Sequence, residues 1–377
     1  MIPTTILVVC GLLLAYTWIG YVLLLVLVRF FYKPEHAAEE TAVTFSIIIA
    51  AYNEEKNIRT KLENCLSFDY PPDLVEIIVA SDGSTDESEN IVEQFSAQDS
   101  RVRLIRSSGR AGKSGVQNLG AAQAKGEIFL FTDVETIASP DLLRQIAAHF
   151  ADPKVGMVAP VVHFGKFRSS VSQGQGAYWR FELFLRQIES DLGMLSTCSG
   201  SAFAIRRTLF RPIPSQYGDD CVIPLDIRLQ RFRIVQDRNL VVYDEMPHTI
   251  NGELHARIRM TARNWAGILS RPGILNPFCF PVTAWGLISH KFLRWMTPFF
   301  LVFMYLVNCF LAFRHQLLAL LLLQSCFYLT AVIGWRRSRS QTCARIFGYP
   351  FAFCLANVGF FLGLMKCARG QRVVAYK

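Results

Sequence analysis

Four stretches of this 377-residue chain contain no charged residue: Ile6–Val28, Met296–Phe313, Gln316–Trp335 and Ile346–Met365. At ~1.5 Å of rise per residue, a run the length of the first crosses a hydrocarbon core of about 30 Å. With 51% hydrophobic residues and a mean hydropathy of +0.27, the chain is too apolar for an ordinary soluble enzyme. Three such runs between residues 296 and 365 would otherwise need a very large soluble core. The ten cysteines include no Cys-x-x-Cys pair, which argues against a zinc site or a disulfide framework and for reduced, mostly buried thiols. No two of the seven histidines are spaced as a metal pair; His248 and His255 read as surface or satisfied residues. There is no dense basic stripe interleaved with aromatics, so nucleic acid is excluded as a partner. The net charge of +9 suits membrane lipid headgroups and phosphorylated substrates instead. Residues 1–28 lack a basic leader and a small-residue cleavage site and read as a retained anchor.

Arg29 and Lys33 follow the first apolar run, and positive residues gather on the cytoplasmic side of membrane segments. The expectation is therefore a multi-pass protein of the cell (inner) membrane with its soluble middle in the cytoplasm. Arg336, Arg337, Arg339 and Arg345 are cytoplasmic if the second and third runs form a hairpin. The same rule then conflicts with Lys366, Arg369, Arg372 and Lys377 after the last run. Either that run is re-entrant, or a further crossing or interfacial helix lies within "NPFCFPVTAWGLISHKFLRWM". Lys291 and Arg294 are expected at headgroup level there, with Trp295 at the boundary.

The middle of the chain alternates apolar strands with helical periodicity. "TFSIIIAAYNEEKNIRTKLENCLS" reads as strand then helix, and "VEIIVA" as a strand. "STDESENIVEQFSA" reads as a helix capped by Ser84 or Thr85. "RVRLIR", "GKSGVQNLGAAQAK" and "EIFLFTD" continue as strand, helix, strand. Such alternation predicts an α/β domain around a mainly parallel sheet, whose ligands bind off the carboxyl ends of the strands. Asp82 and Asp133 stand at two such ends. Further on come a long amphipathic helix ("GAYWRFELFLRQIESDLG"), a strand ("GSAFAIRRTLF"), a helix opening with Asp219 and Asp220, and a last strand ("RIVQDRNLVVYDE"). The expected organisation is an anchor (1–33), one catalytic-type domain (34–275) and an interfacial helix with a C-terminal transmembrane region (276–377).

Six motifs in this order, "AAYNEEKNI", "ASDGSTD", "GKSGVQNLG", "FTDVE", "SGSAFAIRR" and "YGDDCVIPLDI", resemble the membrane-embedded family 2 glycosyltransferases of the GT-A fold. That group includes bacterial exopolysaccharide and cellulose-like synthases. The resemblance runs from about Phe45 to Trp295. It implies a Rossmann-like GT-A cytoplasmic domain with one N-terminal and about three C-terminal transmembrane helices. It also implies inverting transfer of a sugar from a nucleotide donor, UDP-linked, to a membrane-associated lipid-linked or glycan acceptor in surface polysaccharide synthesis.

The resemblance assigns the donor to Ala50, Tyr52, Glu54, Asp82, Lys113, Asn118 and Asp133, with Asp82 on the uracil imide. Independently, Lys113 follows two glycines at a helix start, where amides and an ammonium suit phosphate; the spacing is not a Walker A motif. A hard divalent ion, Mg²⁺ or Mn²⁺, on Asp133 would neutralise a departing diphosphate. The family's Asp-x-Asp is here Asp133-Val134-Glu135, so Glu135 is a second metal candidate or a solvated acid. Asp219 and Asp220 match the family's acidic pair, Asp220 at the general base. Gly200 and Ser201 fall at the acceptor pocket. Processive relatives carry Gln-x-x-Arg-Trp; this chain has "TARNW", with Trp265 in place and Arg263 one position off. That departure favours limited addition, with a processive, polymer-exporting synthase as the alternative. A non-catalytic nucleotide-sugar scaffold would have no use for Asp220.

Overall fold

A computed structural model describes residues 2–32, 42–165, 170–244, 249–313, 317–338 and 345–371. Lys33, His248, Arg339, Arg372 and Lys377, invoked above, lie outside them.

Among the described residues, eight strands form one sheet: β1 (Phe45–Ala51), β2 (Val75–Ser81), β3 (Val102–Arg106), β4 (Ile128–Asp133), β5 (Ile137–Ala138), β6 (Val155–Phe164), β7 (Ala202–Arg206) and β8 (Arg233–Asp244). Their spatial order is β3-β2-β1-β4-β7-β6-β8-β5. The half from β3 to β4 is parallel, as expected. The other half is mixed, because β7 runs antiparallel to both β4 and β6 while β6 and β8 are parallel. "Mainly parallel" thus describes the half from β3 to β4 and not the whole sheet.

Both faces of the central strands are covered, which is why they read as continuous apolar runs. Alternate residues point to opposite faces. Ile47 and Ile49 of β1, with Leu130 of β4, pack against helices Ile58–Leu66 and Leu142–Phe150. Ile48, Phe129 and Phe131 pack on the other face with helices Gly112–Gln123 and Asp219–Leu229. The helix after β2 begins at Ser88, not at a Ser84 or Thr85 cap. Ser84 and Thr85 instead bond Asn53 across the strand ends, and Asp86 accepts from the Ser88 amide.

Among the described residues, four helices are long and apolar enough to cross a membrane: Ile2–Phe31, Pro281–Ala312, Leu318–Arg337 and Ile346–Ala368. The segment before Met296 is continuous with the helix that follows it, Pro281–Ala312. It and the first helix each contain a π-helical turn, and the two meet where Tyr16 bonds Ser289 (2.8 Å) and Trp285 (2.9 Å). Lys291 and Arg294 do not reach outward. Both turn onto Glu182 of the helix Ser170–Asp191, at 2.7 and 2.5 Å, and His290 bridges Glu182 and Glu189. Arg294 is buried at 2% exposure; Trp295 is buried against Trp265 and Phe292. A carboxylate inside the protein holds these cations more firmly than a distant headgroup would. The last membrane helix lies against helix Ile250–Leu269 through Gly359 and Gly363. A Cβ on either would sit 2.7 Å from a carbon of Arg257 or Thr261. Only glycine permits that approach.

Candidate active site

Two cavities open along the strand ends and share one wall, made of Lys113, Asp133 and Glu135. The smaller, about 280 Å³, is lined by Ala50, Tyr52, Glu54 and Asp82 as well. The larger, about 380 Å³, is lined by Gly200, Ser201, Asp219, Asp220 and Arg263. The three aspartates Asp82, Asp133 and Asp220 therefore border one continuous hollow.

Asp133 ends β4 at its carboxyl edge. Lys113, in the first turn of Gly112–Gln123, reaches between two acids: 2.6 Å to Asp133 and 3.4 Å to Asp219. It also donates to the Gly200 carbonyl at 3.2 Å. Four residues further along the same helix face, Gln117 donates to Asp219 at 2.9 Å. Burial, joined by the charges of Asp219 and Asp244, pushes Asp133 up to about 6 despite Lys113. Asp219 and Asp220 open their helix side by side, and their environments drive them apart. Burial opposes the charge of Asp219, but Lys113, the Gln117 amide and Arg263 outweigh it and hold this carboxyl below the usual range. Burial and then the Asp219 charge push Asp220 above it. The helix N-terminus alone would have lowered both; proximity and desolvation prevail at Asp220. The Asp220 carboxylate has no hydrogen-bond or ion-pair partner among the described residues.

Asp82 follows β2, and its carboxylate accepts from the amides of Ala111 (2.6 Å) and Gly112 (3.1 Å) and from Arg110 Nε (3.2 Å). It thereby anchors the helix that carries Lys113. The Arg110 guanidinium lies over the Tyr52 ring, 3.4 Å from its centroid. Two expected residues are not brought to the hollow. Asn118 exchanges two 2.8 Å hydrogen bonds with the backbone of Ile213 and lines neither cavity. Trp265 packs on Phe292, centroids 4.7 Å apart, also away from both. Arg257, Arg259 and Arg263 do line the larger cavity, and Arg263 donates to the Tyr217 carbonyl and Ser114.

Several contributors escaped the sequence reading. Asp244, ending β8, lines the larger cavity and accepts from Ser201 at 2.5 Å. Lys61, 1% exposed, donates to Thr132 (2.8 Å) and the Thr136 carbonyl (2.5 Å), holding the turn that carries Asp133 and Glu135; burial pulls its ammonium below the ordinary range. The signal was available: Ile58, Lys61, Leu62 and Cys65 form an i, i+3, i+4, i+7 stripe in which Lys61 is the anomaly.

The donor set suits a hard divalent ion that arrives with phosphates. Asp133 and Glu135 offer carboxylate oxygens on the shared wall. Among the described residues no group of three His, Cys, Asp or Glu side chains could complete a cage. Mg²⁺ and Mn²⁺ characteristically take one or two carboxylates, with phosphates and water supplying the rest.

Residues 46–213 match the profile described as Glycosyl transferase family 2. This stretch, a little under half of the chain, is similar to that family. A beta-monoglucosyldiacylglycerol synthase of Nostoc sp. is 27% identical over 183 residues, 47% of this chain and 39% of that protein. A poly-beta-1,6-N-acetyl-D-glucosamine synthase of Staphylococcus epidermidis is 23% identical over 233 residues, 60% of this chain and 55% of that one. The chain thus spans about two-fifths to a little over half of these relatives. Among solved structures, a mannosyltransferase of Pyrobaculum calidifontis, in complex with GDP-Man and Mn²⁺, superposes with a TM-score of 0.72 at 23% identity. The match covers 94% of this chain and 99% of that one. The likeness is one of fold: this chain has a GT-A-like sheet with long apolar helices.

Proposed function

We propose that this chain transfers a sugar from a nucleotide donor to a lipid-linked acceptor, with inversion, at the cytoplasmic face of the cell membrane. The observation that carries the reading is the pair of cavities joined at Lys113 and Asp133, one lined by Tyr52 and Asp82 and the other by Asp220, whose carboxylate has no partner among the described residues.

In this reading the nucleoside enters the smaller cavity against Tyr52, beside Asp82, Ala50 and Glu54. Arg110, a planar cation stacked where a base would stack, moves aside. The diphosphate comes to Lys113, whose ammonium already sits among carboxylates and the Gly200 carbonyl. Asp133, with Glu135, would hold a divalent ion, which when bound neutralises the charge developing on the leaving diphosphate. Asp220, raised by burial and by Asp219, takes the proton of the acceptor hydroxyl as it attacks the anomeric carbon. Asp219, held ionised by Lys113 and Gln117, orients that machinery. Gly200, Ser201 and Arg263 line the acceptor side. Limited addition is favoured over processive synthesis, because Trp265 is turned into the membrane-side packing and offers no stacking platform in the cavity.

Membranes or purified protein incubated with labelled UDP- and GDP-sugars in turn test the reading. The expected result is a short, lipid-extractable product from one donor, with its anomeric configuration opposite to the donor's. No transfer from any nucleotide sugar, or a retained configuration, overturns the proposal; a high polymer overturns limited addition.

A further inference from the structure

Tyr178 and Arg257 border three cavities at once. The first is the larger active-site cavity. The second, about 70 Å³, runs from Asp220 to Arg294 of the membrane helix Pro281–Ala312. The third, about 250 Å³, lies between the first and last membrane helices and is walled by Trp18, Ala352, Phe353 and Ala356. The apolar cavity between these helices thus meets the larger active-site cavity at a polar junction.

The junction is cationic. Arg186, Arg257, Lys291 and Arg294 face Glu182 and Asp220 in the middle cavity, and Glu253 pairs with Arg257. Arg294 is almost fully buried, yet its Nε and one terminal nitrogen have no hydrogen-bond partner among the described residues. A buried guanidinium with unmet donors is costly unless a ligand satisfies it, and oxyanions match its fork. The volume, that of about two waters, is on the scale of one phosphate group.

We infer that the acceptor is a phosphate-bearing lipid. Its hydrocarbon chain lies between Trp18, Ala352 and Phe353, its phosphate meets Arg257 and Arg294, and its terminal hydroxyl reaches Asp220. This deepens the proposed function and rests on it for the hydroxyl's role, but the lipid site itself requires no turnover. Charge decides the lipid class: a neutral diacylglycerol would leave the guanidinium nitrogens unsatisfied.

Binding of a radiolabelled long-chain polyprenyl phosphate to full-length protein in detergent micelles tests the site directly. Saturable binding is expected, with diacylglycerol and a five-carbon isoprenyl phosphate competing at least about tenfold more weakly, a difference of about 1.4 kcal/mol. Ala352→Trp, which fills the apolar cavity, and Arg257→Lys, which keeps the charge and loses the fork, should each weaken binding by about tenfold. Melting temperature reports folding, and Ala177→Trp, on the opposite wall, serves if Ala352→Trp is unstable. Equal competition by diacylglycerol, or variants that melt normally and bind the polyprenyl phosphate as the wild type does, overturns the inference. Binding as predicted without transfer from any nucleotide sugar leaves the lipid site standing and removes the enzymatic proposal. Transfer to a neutral lipid alone does the reverse.

Discussion

Replacing Lys113 by Gln removes a cation that reaches both Asp133 (2.6 Å) and Asp219 (3.4 Å). With an effective dielectric constant of about 20, those contacts represent roughly 6 and 5 kcal/mol of gross attraction. Desolvation of Lys113 already offsets much of that, and breaking a buried pair costs about 3–5 kcal/mol net. Asp133 limits the loss further. Its carboxyl is already pushed up to about 6, so without Lys113 it rises again and takes a proton near neutrality, at about 1.4 kcal/mol per pH unit. A destabilisation of about 2–3 kcal/mol at pH 7.5 remains, or roughly 4–12 °C at ~2–4 °C per kcal/mol. The sign of the pH dependence follows. Lys113→Gln raises the folded-state pKa of Asp133, so as pH falls from near neutrality to about 6 the variant's folded state holds a proton that the wild type takes up only near 6. The deficit therefore shrinks in acid and grows towards pH 8. Thermal unfolding of both proteins in one detergent, from pH 5 to 8, reads this directly. An unchanged melting temperature, or a deficit equal at every pH, would refute the ion-pair reasoning.

Three further perturbations probe separate parts of the hollow. Asp133→Asn should abolish transfer and the response to Mn²⁺ or Mg²⁺ while thermal stability is kept or improved, since a charge held against burial is removed; metal titration of activity after EDTA treatment checks it. Arg110→Ala vacates the Tyr52 face and one Asp82 contact. Nucleoside monophosphate affinity should rise about fivefold by calorimetry, the equivalent of a contact of about 1 kcal/mol. Gly363→Val places a Cβ 2.7 Å from Thr261, an overpacking cost of about 1–3 kcal/mol. It should impair transfer to membrane acceptors more than nucleotide binding, measured side by side.

The parallel half of the sheet was legible because each strand there is buried on both faces and reads as an unbroken apolar run. The carboxylates at its ends follow from the same pattern: Asp133 must leave the core where β4 stops. Strand β6 escaped notice because Pro160 and the glycine at 156 blur its pattern. The antiparallel insertion of β7 is a tertiary pairing with no local signature. Arg294 and Lys291 look like membrane-flanking cations until Glu182, more than a hundred residues earlier, is folded beneath them. Trp265 occupies the place of an acceptor-stacking residue, yet the aromatic surface of Phe292 and Trp295 was the nearer partner. Asp220 illustrates the limit of a local electrostatic argument, since its helix N-terminus favours ionisation while burial and Asp219 oppose it. Lys61 is the contributor that could have been found, being a charge in the middle of an apolar helix stripe.

Asp220→Asn tests the central claim most directly, with sugar transfer and nucleotide binding measured on the same preparation. A general base contributes about 10²–10⁴-fold, so turnover should fall by at least that factor while nucleotide affinity stays within a few-fold. A variant that binds nucleotide normally and turns over near the wild-type rate would contradict the account, and Asp220 would not be the base.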